Sequence, residues 1–199
     1  MPDDKDKPQI IREQRITYDD YARLEDGNRY ELNNGKLELM SPGPSSIHQL
    51  ISAELQYKLR QTCNREYIVL SAPIDLILSE TEVRQPDLVL IRRSRLHILA
   101  KHGIVGVPDL VTEIVSPSTL KRDKLDKLKI YARFGIPEYW IIASDASTLE
   151  QYVLVKGEAR YELHNIYLED DPVQSDHLSC VSFTMNDIRL QIPNIDSEV

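Results

Sequence analysis

Cysteine is nearly missing from this 199-residue chain, which has only Cys63 and Cys180. The pair lacks both the CxxC spacing of a metal or redox motif and the density of a disulfide scaffold, so it reads as two free thiols of a reduced compartment. Long apolar runs are missing too. None approaches the roughly 20 residues that a membrane-spanning helix needs, and the polar opening MPDDKDKPQIIREQ has no apolar stretch of a secretory signal. A cytoplasmic location without a membrane partner is expected. There is no internal repeat and no low-complexity linker, and the length is that of one domain whose core needs no staple or structural metal. The expected organisation is a flexible tail over 1–15, a single domain over 16–190 and a second tail over 191–199.

What is present is a globular balance of 41% hydrophobic and 28% charged residues, which excludes a disordered chain. The net charge of −8 argues at first against a polyanion partner. Its distribution argues otherwise. Between Arg84 and Arg133 there are eleven Lys and Arg against five Asp and Glu, a net +6 that leaves −14 for the remainder. Such a segment is either a solvated face or an approach for nucleic acid.

Hydrophobic spacing and turn chemistry outline the elements. ITYDDYARLEDG reads as a short helix entered through Thr17 and ended by Gly27. RYELNNGKLELM alternates around Asn33-Asn34-Gly35, which predicts a β-hairpin. IHQLISAELQYKLRQTC places Ile47, Leu50, Ile51, Leu55 and Leu59 at helical spacing, a helix expected to pack on that hairpin. REYIVLSAPIDLILSE reads as one long or two short strands, QPDLVLIRR as a buried strand, and Leu110 to Val115 as another. Ser116 to Thr119 offers a stop and a cap for a helix with Leu125, Leu128, Tyr131 and Ala132 on its buried face, which Gly135 ends before Pro137. EYWIIAS, LEQYVLVKG and ARYELHNIYL are further strands, and the acidic last forty residues have weaker periodicity. Strands alternating with two or three helices indicate an α/β domain on a mixed sheet with helices on its faces.

Two carboxylates stand out chemically. Asp87 follows Pro86 at the start of an apolar strand, at the lip of the sheet. Glu113 lies within the apolar strand LVTEIVS, where a carboxylate is costly to bury without a cation or hydrogen-bonding partner. If the two strands are neighbours the carboxylates converge, and a hard cation such as Mg²⁺ or Mn²⁺ relieves their repulsion. The bland alternative is a strand-edge Asp and a half-exposed Glu with solvent or Lys partners. Lys127 lies four residues after Asp123 on the next helix, so it either forms a surface ion pair or places an ammonium beside a metal site. Glu31 adds an acid that could be a ligand or a base. His48, at the start of a helix, suits a cap, a ligand or a proton relay.

The strings YELNNGKLELMSPGPSSIHQLISAEL, PIDLILSETEVRQPDLVLI and GVPDLVTEIVSPSTLKRDKLDKLKIYARFGIPEYWII, in order over about residues 16 to 145, resemble the bacterial Uma-two family, classed among restriction endonucleases and often found in many copies in cyanobacteria. The resemblance implies a restriction-endonuclease-like three-layer α/β fold, with a mixed central sheet flanked by helices, and a Mg²⁺-dependent PD-(D/E)xK centre, Mn²⁺ being an alternative. Asp87 matches the PD aspartate and Glu113 the second acid, both as metal ligands. Glu31 matches an upstream acid with a metal or catalytic role, and His48 the histidine that begins the next helix. Val115 stands where the motif has its lysine. The resemblance moves that lysine to the following helix, at Lys127 or failing that Lys124. Arg122 and Lys124 become candidates for phosphate contact.

The reading that follows is an endonuclease hydrolysing phosphodiester bonds, of DNA before RNA, in which Asp87, Glu113 and Glu31 hold Mg²⁺ and Lys127 orients water. A homodimer is the form that duplex cleavage by this kind of enzyme suggests. Two rivals remain. One is a nucleic-acid-binding or regulatory module that kept the fold and lost turnover. The other is an interaction domain, dimeric through its Tyr-rich C-terminal strands.

Overall fold

Asn34 and Gly35 both take positive φ, 49° and 79°, which matches the twist of a tight hairpin. They join β1 (Tyr30–Asn33) to β2 (Lys36–Leu39) in antiparallel register, as the sequence predicts. The computed structural model describes residues 15–40, 43–115 and 120–195, and only the backbone of 120–124. The tail expected over 1–15 falls outside the described residues except for Arg15. The cap expected over Ser116 to Thr119 falls outside them as well.

Before the hairpin stands α1 (Tyr18–Tyr21), entered through a reciprocal Thr17–Asp20 capping box. It stops well short of Gly27. After the hairpin, Ser45 caps α2 (Ser46–Cys63), which buries Ile51, Leu55, Leu59 and Cys63 on one side. The segment 67–79 makes two strands, β3 (Tyr67–Ser71) and β4 (Leu76–Ser79), and they enter different sheets. Then come β5 (Glu82–Arg84), which the sequence pattern did not reveal, and β6 (Leu88–Arg92). The basic stretch that follows is a 3-10 turn over Arg93–Ile98 with β7 (Leu99–Ala100), and β8 (Gly103–Val105) comes next. The chain continues through β9 (Leu110–Val115), α3 (Leu120–Arg133), β10 (Glu138–Ala143), β11 (Thr148–Leu154), β12 (Tyr161–Leu168) and α4 (Met185–Arg189).

The described strands form two mixed sheets, in the orders β2-β1-β5-β4-β8-β7 and β12-β11-β10-β9-β6-β3. Both faces of the second sheet are covered, which is why Leu88 to Ile91 is an unbroken apolar run. Leu88, Leu90, Leu110, Ile114 and Trp140 meet α2, α4 and the C-terminal segment on one side. Val89, Ile91, Val111, Tyr139 and Ile141 meet α3 and the first-sheet residues Leu76 and Ile104 on the other.

Two packing expectations change. The buried side of α2 lies on the second sheet and not on the hairpin, whose apolar side is already covered by Ile16, Tyr18 and Tyr21. Leu125 is exposed, and Ile130, Tyr131 and Ala132 carry the buried face of α3. Gly135, at φ 78°, ends that helix as predicted.

The expectation of two free thiols does not hold. Cys63, on the buried face of α2, is bonded to Cys180 in the C-terminal segment, with Cα atoms 5.0 Å apart. The two cysteines are 117 positions apart, so spacing in sequence gave no hint of the pair. No described helix is long and apolar enough to cross a membrane. Breaking this crosslink, by reductant or by Cys63→Ser with Cys180→Ser, should cost about 2–4 kcal/mol. Urea denaturation with and without dithiothreitol measures this, and coincident midpoints would rule the crosslink out.

Candidate functional site

Strands β6 and β9 are antiparallel neighbours with Leu88 opposite Thr112. Continuing that register brings Asp87, the residue before Leu88, beside Glu113. The sequence therefore sets two carboxylates together at the end of a paired ladder. Asp87 Oδ2 accepts from the Ile114 amide at 2.7 Å, and Oδ1 lies 2.9 Å from Nε2 of His48. His48 is in the first turn of α2, where the Ser45 cap accepts its amide and fixes where the helix starts.

Glu113 is 5% exposed and faces the same side of the sheet as Val111 and Val115. Its partners come from α3. Lys127 Nζ is 2.8 Å from Oε1, and the Tyr131 hydroxyl donates to the same oxygen at 2.9 Å. These two residues are one helical turn apart, so one face of α3 supplies both donors. On its other side the Lys127 ammonium faces Glu31 Oε1 at 3.7 Å. Both oxygens of Glu31 have protein partners besides Lys127. Oε1 accepts from the Gln85 amide at 2.9 Å and Oε2 from Arg84 at 3.1 Å. Glu31, His48, Asp87, Glu113 and Lys127 line one cleft of about 980 Å³. The buried Tyr139 hydroxyl, in a residue of the cleft wall, has no hydrogen-bond partner among the described residues.

Burial, reinforced by Asp87 and Glu31, outweighs the opposing effect of Lys127 and pushes the Glu113 carboxyl up to about 7. Burial acts on Lys127 in the opposite sense, but Glu113 and Glu31 outweigh it and hold the ammonium firmly protonated. Burial would also raise Glu31, yet Lys127, Arg84 and the Gln85 amide bring it below the usual carboxylate range. The bond to Asp87 raises the His48 imidazole against the effect of its burial.

The five residues singled out for catalysis thus share one cleft. Of the two candidates for phosphate contact, Arg122 and Lys124, the side chains lie outside the described residues, as does that of Asp123, the alternative partner of Lys127. Four participants escaped sequence reasoning: Arg84, Gln85, Glu82 and Tyr139. In the sequence Tyr131 reads as core only, although its one-turn spacing from Lys127 is visible there. Arg84 lies three residues before Asp87, in a three-residue strand too short to read from the sequence.

A family model described as "Putative restriction endonuclease", Uma2, matches residues 18–186. The chain belongs to the Uma2 family. Among solved structures, a protein from Anabaena variabilis ATCC 29413 described as "a putative nuclease belonging to DUF820" is similar, with 20% identity and a TM-score of 0.69 over 88% of this chain and 98% of that one. That likeness bears out the expected restriction-endonuclease-like α/β fold, here with its strands in two mixed sheets. No curated protein matches.

The raised carboxyl has a stability consequence in metal-free buffer. The folded chain holds the Glu113 proton more tightly than the unfolded chain does, so stability falls as pH rises from about 4.5 through about 7. Glu113→Gln removes this titration. The variant should gain stability relative to the unsubstituted Uma2 chain between pH 5 and pH 8, by on the order of 3 kcal/mol. Paired urea titrations across that range measure the difference, and a pH-independent gap contradicts the assignment.

Proposed function

We propose that the chain is a Mg²⁺-dependent endonuclease that hydrolyses DNA phosphodiester bonds at a PD-(D/E)xK-type site whose lysine comes from the helix after the second acid. The observation that carries this reading is the Lys127 ammonium 2.8 Å from Glu113, on the carboxylate that faces Asp87. Val115 stands at the usual lysine position, yet an ammonium still reaches the paired acids.

The donor set suits a hard cation. Among the described residues no three His, Cys, Asp or Glu side chains form a group that could hold a metal. Mg²⁺ needs no such cage, because it keeps several waters and takes one or two carboxylates from the protein. Asp87 and Glu113 would hold it, with Mn²⁺ as a substitute. When bound, the cation would polarise the scissile phosphate and acidify the attacking water. Glu31, expected as a third ligand, is engaged by Arg84 and the Gln85 amide, and in this reading it holds Lys127.

The protein's own groups have separable tasks. The Ile114 amide and His48 hold both oxygens of Asp87, so that carboxylate waits in one orientation. Lys127 stays protonated, which suits it to donate to the attacking water and to offset charge growing on the phosphate, and excludes it as a base. In this reading the basic stretch from Arg84 to Arg133 offsets the net negative charge for an approaching polyanion, and among its described basic residues Lys127 is the one that lines the cleft.

The test is cleavage of supercoiled plasmid and of single-stranded DNA with Mg²⁺, Mn²⁺ or EDTA, using the unsubstituted chain, Glu113→Gln and Lys127→Ala. Metal-dependent nicking should drop about 100-fold or more in both variants. Equal traces in all three preparations would mean contamination. Salt-sensitive DNA binding without products would identify a binding module instead.

A further inference from the structure

Two buried charged residues lie beside the cleft without touching Asp87 or Glu113. Arg84 is 2% exposed and Glu82 is 1% exposed, both on the short strand β5. Charges are rarely enclosed so fully unless paired, and an enclosed pair is seldom a gain in stability over apolar residues of the same size. Their contacts form a closed circuit. Lys127 on α3 faces Glu31 on β1 at 3.7 Å, and Glu31 accepts from Arg84 at 3.1 Å. Arg84 Nε donates to Glu82 at 3.0 Å, and Glu82 accepts from Arg133 at 2.8 Å. Arg133 is the last residue of α3, the helix on which the circuit began. The first sheet therefore grips α3 at two points, the lysine and the helix end, and Arg84 and Glu82 join the grips.

The circuit explains why Lys127 favours one acid over the other. Glu31 and Glu113 both attract the ammonium. Because Arg84 and the Gln85 amide already occupy Glu31, Lys127 rests closer to Glu113, at 2.8 Å against 3.7 Å. Without the guanidinium, Glu31 would compete for the lysine and draw it from the paired acids. Lysine could not replace Arg84, because the guanidinium bonds Glu31 and Glu82 from different nitrogens in a fixed plane.

We propose that Arg84 and Glu82 are positioning residues of the cleft, which through Glu31 and Arg133 hold the Lys127 ammonium on Glu113 before any substrate arrives. The proposal rests on the hydrolytic reading of the cleft for its kinetic consequence, and on geometry alone for the placement of the ammonium.

The test uses Arg84→Met and, at the half-exposed end of α3, Arg133→Gln. In plasmid nicking with Mg²⁺, Arg84→Met should lower kcat about tenfold with KM unchanged, in the range of losses seen for outer partners of metal sites. Arg133→Gln should lower it roughly two- to threefold, its ion pair being partly solvated. Neither substitution should matter further in a Lys127→Ala background, because the effect acts through that lysine. A kcat that is unchanged in both, or one that falls by the same factor with and without Lys127, overturns the proposal.

The second measurement needs no turnover. The Lys127 ammonium resonance in a lysine-¹⁵N spectrum, assigned by its loss in Lys127→Ala, should move in both variants. Arg133 does not adjoin the ammonium, so a shift there reports transmission through the circuit, and an unmoved resonance in both overturns the placement. If the unsubstituted chain fails to cleave, the hydrolytic reading falls and the spectrum alone decides the placement.

Discussion

A carboxylate enclosed in an apolar strand is the constraint around which the cleft is arranged. Glu113 sits in β9 between residues that pack the core on both sides of the sheet, and there a lone charge would cost several kcal/mol. The chain answers with a turn of α3 that delivers an ammonium and a hydroxyl to one oxygen. The docking of α3 is thus set by this carboxylate as well as by the apolar contacts of Ile130 and Tyr131. Moving the helix by a turn would strand the acid and the lysine together.

The same constraint reaches the first sheet. An ammonium buried against Glu113 is itself desolvated, and Glu31 on β1 answers it from the other side. Glu31 is then answered by Arg84, Arg84 by Glu82, and Glu82 by Arg133. Each buried charge needs an opposite one, and the series ends only where Arg133 reaches solvent. Such a series fixes geometry more than it adds stability, since each member that gains a partner has first lost water. The cleft accordingly lies where the two sheets and α3 meet, and its polar groups are held from several elements at once.

Much of this was legible in the chain. The Asn34-Gly35 hairpin and the Gly135 stop follow from local turn and cap chemistry, which acts over a few residues, and the buried strands from their short apolar runs. Asp87 and Glu113 could be singled out because a charge in an apolar run contradicts its surroundings. Other features depend on partners distant in sequence and carry no local mark. The strand Glu82–Arg84 is too short to show alternation, and its two charges read as surface until the opposing Glu31 is known. The 67–79 segment divides between two sheets, a choice made by neighbours and not by its own pattern. The bond between Cys63 and Cys180 spans most of the chain, and α2 turned from the hairpin to the second sheet because the larger apolar face was there.

The electrical state of the cleft links its two chemical needs. Without a bound cation, Asp87, Glu31 and Glu113 crowd around one ammonium and one guanidinium, and the enclosed acid keeps its proton to about pH 7. A carboxylate must give up that proton to bind a metal ion, so in the proposed reading cation binding and ionisation of Glu113 are one event, coupled to proton release. Lys127 takes no part in that exchange, because its proton is held by both neighbouring acids. It can therefore stay beside Glu113 as a fixed positive charge while the acid changes state. An arginine would carry the charge but not the compact reach between two acids, and a neutral donor would leave ionised Glu113 and Glu31 with no cation between them.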